Sequence, residues 1–113
     1  MTLMAVEIRV YEDKFGARPF DLWFRRLPDV HASKVDTVVA RLAAGNRSGL
    51  KAVGAGVLER RIDWGPGLRV YLAFDGLRLI LLLGGGSKSR QDADISAAKE
   101  RWADYKQRKK LEE

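Results

Sequence analysis

Residues 77–83 read LRLILLL, apolar at every position but Arg78. A run this short and this continuous suits an interior strand covered on both faces, because a half-solvated strand would alternate. Whatever else the chain does, it must supply two apolar layers to hide that strand. The segments before it do alternate: VLERRID, the turn WGPG, LRVYLAF and a DG turn lead into LRLILLL, which predicts a three-stranded meander.

The remaining elements follow from spacing. Residues 3–11 (LMAVEIRVY) set Met4, Val6, Ile8 and Val10 against Glu7, Arg9 and Tyr11, the period of a half-buried strand. Pro19 can open a helix at no cost, and Phe20, Trp23, Phe24 and Leu27 then recur at helical spacing until Pro28. Asp29 is placed to cap a second helix carrying His31, Val35, Val38, Val39 and Leu42 on one stripe, ended by Gly45 or Asn46. So short a link predicts a helix hairpin. The segment around Gly49, Gly54 and Gly56 reads as irregular, and GGGSKSRQ as a loop before a last helix over residues 92–110, with Ile95, Ala98, Trp102 and Tyr105 along one stripe. The expected architecture is α+β in the order β-α-α-β-β-β-α, a helix hairpin and a C-terminal helix packed on a four-stranded sheet.

Composition narrows the function classes. At 113 residues the chain is expected to form one domain, residues 1–113. Its longest uninterrupted apolar run, residues 79–83, is far below the roughly 20 residues of a membrane span. With no secretory leader pattern and no cysteine, a soluble cytoplasmic protein is expected, without disulfides, thiolate metal sites or a cysteine nucleophile. The net charge of +6 is not spread evenly: residues 34–91 hold ten basic and four acidic side chains, while the segments on either side are balanced. A localised excess of this kind is the electrostatic footprint of a polyanion binder, nucleic acid above all. Ordinary solubility charge is the plainer alternative.

Strand parity sorts the candidate site. If Leu68, Val70, Leu72 and Phe74 share the core face, then Arg69, Tyr71 and Ala73 share the other, together with Glu59, Arg61 and Asp63 of the preceding strand. Arg61, Arg69 and Tyr71 are thereby predicted to meet on an open sheet face, where guanidinium groups can grip a phosphodiester. Cross-strand pairing with Glu59 or Asp63 on a solvated face is the competing expectation. Arg60 falls on the core side and should snorkel at its edge. GGGSK fails the Walker pattern, since Ser87 precedes Lys88 and Leu82 stands where a glycine is required. What it leaves is flexible backbone ahead of a helix, with Lys88 and Arg90 nearby: an anion site or a plain strand-to-helix turn. His31, the one histidine, lies on an apolar stripe and is read as packing or capping. No metal-ligand motif is present, Glu59 and Asp63 lie about 13 Å apart along their strand, and no cofactor is expected.

The run LERRIDWGPGLRVYLAFDGLRLILLLGGGSKSRQDADISAAKERWADY, behind PFDLWFRRL, resembles the RelE/ParE superfamily of toxins from bacterial toxin–antitoxin modules, and within it the HigB-like addiction module killer branch. The likeness covers residues 3–107, and GPGLRVY and GGGSKSRQ are its most specific parts. It implies the small α+β fold already described and, for many members, ribosome-dependent and metal-independent cleavage of mRNA. It also implies restraint by an antitoxin, here expected to be a small helix-turn-helix protein, with operator DNA bound only by the toxin–antitoxin complex. By position, Arg61, Arg69 and Lys88 match the family's basic residues. The implied chemistry is attack of a 2′-hydroxyl on its own 3′ phosphate, with Arg61 and Arg69 stabilising the added charge, Lys88 contacting phosphate or moving a proton, and Tyr71 stacking on a base or sharing a proton. Arg60, Arg78 and Arg90 join these as nucleic-acid contacts.

Relatives of this kind often carry a tyrosine or histidine early in the last helix as general acid, where this chain reads QDADISAA. That leaves Tyr71 acting from the sheet, Lys88 acting alone, or a chain with little or no nuclease activity. The ParE branch shares the fold and is associated with gyrase, so a gyrase inhibitor and a non-catalytic nucleic-acid-binding module stand as alternatives.

Overall fold

The computed structural model describes residues 6–112. Met4, expected in the first strand, lies outside them. The elements are β1 (Glu7–Val10), α1 (Pro19–Arg25), α2 (Asp29–Ala43), β2 (Leu50–Gly54), β3 (Val57–Ile62), β4 (Leu68–Asp75), β5 (Leu79–Gly86), a 3₁₀ turn (Lys88–Arg90) and α3 (Gln91–Glu112). They form an α+β domain on one sheet of order β1-β5-β4-β3-β2. The meander β3-β4-β5 is antiparallel, and β1 adds in parallel to β5, pairing Ile8 with Ile80 and Val10 with Leu82.

The sheet has five strands, not four. The additional one, β2, lies in the glycine-rich segment and pairs antiparallel with β3. Ala55 (φ 55°) and Gly56 (φ 84°) between them both take positive φ, the requirement of the tightest hairpin turns. An edge strand of five residues with mostly exposed side chains carries no alternation to announce it. The glycines 84–86 were expected in a loop and instead finish β5. Asp29 is not the cap of α2 but its first residue: Pro28 stands at the cap and offers no side-chain bond. The other end matches expectation, with Gly45 at φ 90° and its N–H bonded to the Leu42 carbonyl, while Asn46 N–H reaches Arg41 O. These two reversed bonds satisfy carbonyls that would otherwise be left open at the helix end.

Both faces of the sheet are covered. On one, Phe20 of α1 and Val35, Val38 and Leu42 of α2 pack with Ile62, Leu68, Val70, Leu72, Ile80 and Leu82. On the other, Ala98 and Trp102 of α3 pack with Tyr11, Val57, Tyr71, Ala73, Leu81 and Leu83. The open sheet face predicted for Arg69 and Tyr71 therefore does not exist: α3 lies over it. The register of β4 on β5 slips between Tyr71, opposite Gly84, and Leu72, opposite Leu82. This bulge resets parity, so Leu81 and Leu83 face α3 and so do Gly84 and Gly86 after them, whereas Gly85 faces Trp23 of α1.

Polar contacts fasten α3 at its far end. Asp75 accepts hydrogen bonds from Tyr105 (2.5 Å) and Lys109 (2.7 and 2.8 Å), and the two partners hold its carboxyl below the usual carboxylate range, Lys109 most strongly. A depressed native pKa contributes stability that is present above the unfolded value and is lost as pH falls through the native one. Asp75→Asn is accordingly expected to lower stability by about 1 kcal/mol at pH 7. In denaturant titrations that difference should shrink once pH drops below about 4. A difference that persists undiminished at lower pH would show that packing, not charge, is at work.

Candidate functional site

The candidate residues gather where β3 ends, β4 begins and β5 ends. A turn over residues 63–67 joins the first two strands, with Trp64 N–H bonded to Ile62 O and Gly67 N–H to Trp64 O. Arg61 is the register partner of Arg69, and Glu59 of Tyr71. Gly67 brings the turn against the start of the 3₁₀ segment: a Cβ there would lie 3.5 Å from both the Arg69 guanidinium and Lys88 Cβ. Arg61, Arg69 and Lys88 thus share one end of the sheet, and Arg90 follows in the same exposed turn as Lys88.

Two layers of very different character make up this end. Arg61, Lys88 and Arg90 are exposed and form a basic rim. Arg69 is 2 % exposed, and Glu59 and Tyr71 not at all. Arg69 Nε lies 3.7 Å from Glu59 Oε2, close enough for ionic attraction and beyond a hydrogen bond, while its Nη1 donates to Gly67 O at 2.8 Å. Gln91, the first residue of α3, donates to Glu59 Oε2 at 2.8 Å and closes the pair from above. The cross-strand pairing anticipated as an alternative therefore occurs, but as a buried pair rather than on a solvated face.

Four polar atoms in this centre have no hydrogen-bond partner among the described residues: Glu59 Oε1, Arg69 Nε, the Tyr71 hydroxyl and Asp94 Oδ2. Each such atom costs about 1–3 kcal/mol when buried, and native interiors avoid collecting them in one place unless the place has a use. Burial pushes the Tyr71 hydroxyl well above its usual range, with the Glu59 and Asp94 carboxylates adding to the effect and Arg69 opposing it. Tyr71 is thus a neutral phenol, and its burial removes it from any role in stacking on a base. Burial also raises the Asp94 carboxyl, against the pull of Arg90 and Arg101.

Asp94 is the residue the sequence did not single out. Asp94 was passed over as one acid in a helix start, and only the fold reveals that it fills the space a Cβ on Gly86 would need, 1.8 Å from Oδ2. The general acid expected at this end of α3 is a tyrosine or histidine; a carboxyl with a raised pKa can hold a proton in their place. Two predicted contacts do not join the site. Arg78 sits in the β4–β5 turn, about 20 Å along the strands from Arg69. Arg60 points to the opposite side of the sheet, toward α2, where it is half-buried and donates to Arg61 O. His31 packs edge-on against Trp64, 4.9 Å between ring centroids. Among the described residues no group of three or more His, Asp or Glu side chains is placed to hold a metal ion, and no helix is long and apolar enough to cross a membrane.

No protein-family model matches the chain. Over 81 residues it is 44% identical to a Haemophilus influenzae protein called "Uncharacterized protein", a match taking in 71% of this chain and 82% of that one. Identity at this level over most of both lengths means a common fold and ancestry, and the chain belongs to the family of that Haemophilus influenzae protein.

Proposed function

We propose that this chain has a RelE-like fold and is the toxin of a type II toxin–antitoxin module, acting in the cytoplasm as a ribosome-dependent mRNA endonuclease held in check by a small antitoxin. The observation that carries the reading is the convergence of Arg61, Arg69, Lys88 and Arg90 at one end of the sheet, over a buried centre with four unpartnered polar atoms. Supporting it is the resemblance of the GPGLRVY and GGGSKSRQ segments, which supply three of those four cations. In the proposed reaction the 2′-hydroxyl of a nucleotide attacks its own 3′ phosphate and passes its proton to water, the P–O5′ bond breaks to leave a 2′,3′-cyclic phosphate, and the departing 5′ oxygen of the next nucleotide takes a proton up. Arg61 and Lys88 hold the phosphate from the rim. Arg69 stabilises the charge that builds in the transition state, once the Gln91–Glu59 contact yields to the strand, and Asp94 is positioned to deliver a proton.

The test is primer-extension mapping of an mRNA on programmed bacterial ribosomes, with mRNA alone as control. Arg61→Ala and Lys88→Ala, both at exposed positions, should each lower the cleavage rate about 10²–10³-fold. Intact mRNA treated with protein that still arrests growth would turn the assignment to gyrase or another target. One observation favours a second reading, a module that binds nucleic acid without cutting it: Arg69 is sealed against Glu59 beneath α3. That reading expects salt-sensitive binding by the rim and no cut at any ribosome concentration.

A further inference from the structure

A second cluster of cations lies on the other side of the sheet. Lys34, Thr37, Val38 and Arg41 of α2 face Arg60, Arg61, Ile62 and Asp63 across a groove of about 340 Å³. Four of its lining residues are basic and one is acidic. Some basic side chains elsewhere on the surface find partners, as Arg18 does with Glu12 and Arg108 with Asp104. Among the described residues none of Lys34, Arg41, Arg60 and Arg61 makes an ion pair, though Asp63 is at hand. Lys34, Arg41 and Arg61 are exposed, so their mutual repulsion is tolerated only because water screens it, and a bound polyanion would relieve it directly.

An aromatic ring stands beside the groove, against its Lys34. Trp64 is 37% exposed, Lys34 Nζ stands 5.4 Å from its ring centroid, and His31 packs edge-on against it. A large ring held in place from two sides, yet left partly open beside a row of free cations, suits a ligand that alternates anionic and flat apolar groups. Single-stranded nucleic acid has that alternation; a duplex keeps its bases stacked away from such a ring.

We infer that the α2–β3 groove binds a single-stranded nucleic acid, its phosphates along Lys34, Arg41 and Arg60 and one base on Trp64. The groove meets the basic rim at Arg61 and extends away from Lys88 and Arg90 along α2, and its binding does not depend on the chain being a nuclease. The shared chemistry admits RNA or DNA, so both enter the test.

Fluorescence anisotropy of short labelled RNA and DNA strands of one sequence, titrated over a range of salt, reads the site directly. For the better-bound strand, replacing Lys34 and Arg41 together by alanine should reduce the slope of log K against log salt by about 1.4, at 0.7 per phosphate contact on a single strand. Lys51→Ala with Lys110→Ala, at two exposed positions away from the groove, removes the same charge and should leave the slope within half of that change. Trp64→Ala should weaken binding about tenfold. Equal slopes for the two double variants would overturn the proposal, as would a Trp64→Ala protein that binds like wild type or a duplex of the same sequence that binds as tightly as the strand. Because binding is read without ribosomes or cleavage, failure here leaves the nuclease test unaffected, and the reverse holds too.

Discussion

Arg69→Ala is expected to destabilise the protein by about 3–5 kcal/mol, because it strands the Glu59 carboxylate in the interior without its counter-charge. Glu59→Ala should cost a similar amount by stranding the guanidinium, whose remaining bond is to Gly67 O. Replacing the two together, Glu59→Leu with Arg69→Met, should come out near neutral, since apolar residues of similar volume remove both desolvation penalties at once. Equilibrium urea unfolding of Glu59→Leu, Arg69→Met and the two together shows the expected coupling as a strong departure from additivity. A cost below about 1 kcal/mol for Arg69→Ala would mean that the pair is hydrated in solution and the centre open. The consequence for function is practical. Loss of cleavage in an Arg69→Ala protein says nothing about catalysis until the variant is shown to fold, which is why the exposed Arg61 and Lys88 carry the activity test.

Gly85→Ala is expected to cost about 3 kcal/mol, at the upper end of what overpacking costs. Its Cβ would stand 2.3 Å from Cε3 and Cζ3 of Trp23 and 2.6 Å from Cη2, and an indole wedged beside Phe20 cannot retreat without moving α1. The backbone is not at issue here, since Gly85 is absent from the residues with positive φ. For a domain of this size that cost corresponds to a melting temperature lower by about 10 °C or more. In a Trp23→Ala background the same substitution should cost less than about 1 kcal/mol, because the three atoms nearest the added Cβ all belong to that ring. If Gly85→Ala is as costly there as in the wild type, the strand itself, not the helix contact, requires glycine.

Much of this architecture was legible from spacing. The meander, the aromatic face of α1, the stripe on α2 and the glycine that ends it all depend on contacts within a few residues, and periodicity reports those directly. The alternation in LRVYLAF correctly put Arg69 and Tyr71 on one side and Val70 and Leu72 on the other. It said nothing of what that side would meet. The continuous run in residues 77–83 had already demanded cover on both faces, which is incompatible with an open face on the neighbouring strand. Taken as a constraint on the whole sheet, it places α3 over Arg69 and makes the anticipated pairing with Glu59 a buried one.

What the sequence determined by itself was local: where strands and helices run, which side chains alternate, and how the positive charge concentrates in residues 34–91. What only the tertiary structure decided was long-range. It sealed Arg69 against Glu59 under Gln91, gave Asp94 the space left by Gly86, and arranged the basic residues into a rim beside α3 and a groove beside α2 that meet at Arg61. The reason is the same in each case. Burial, pKa and charge pairing depend on neighbours 8 to 35 positions away in the chain, as Gln91 is 32 from Glu59. Neither a period of 2 nor one of 3.6 carries information over that distance.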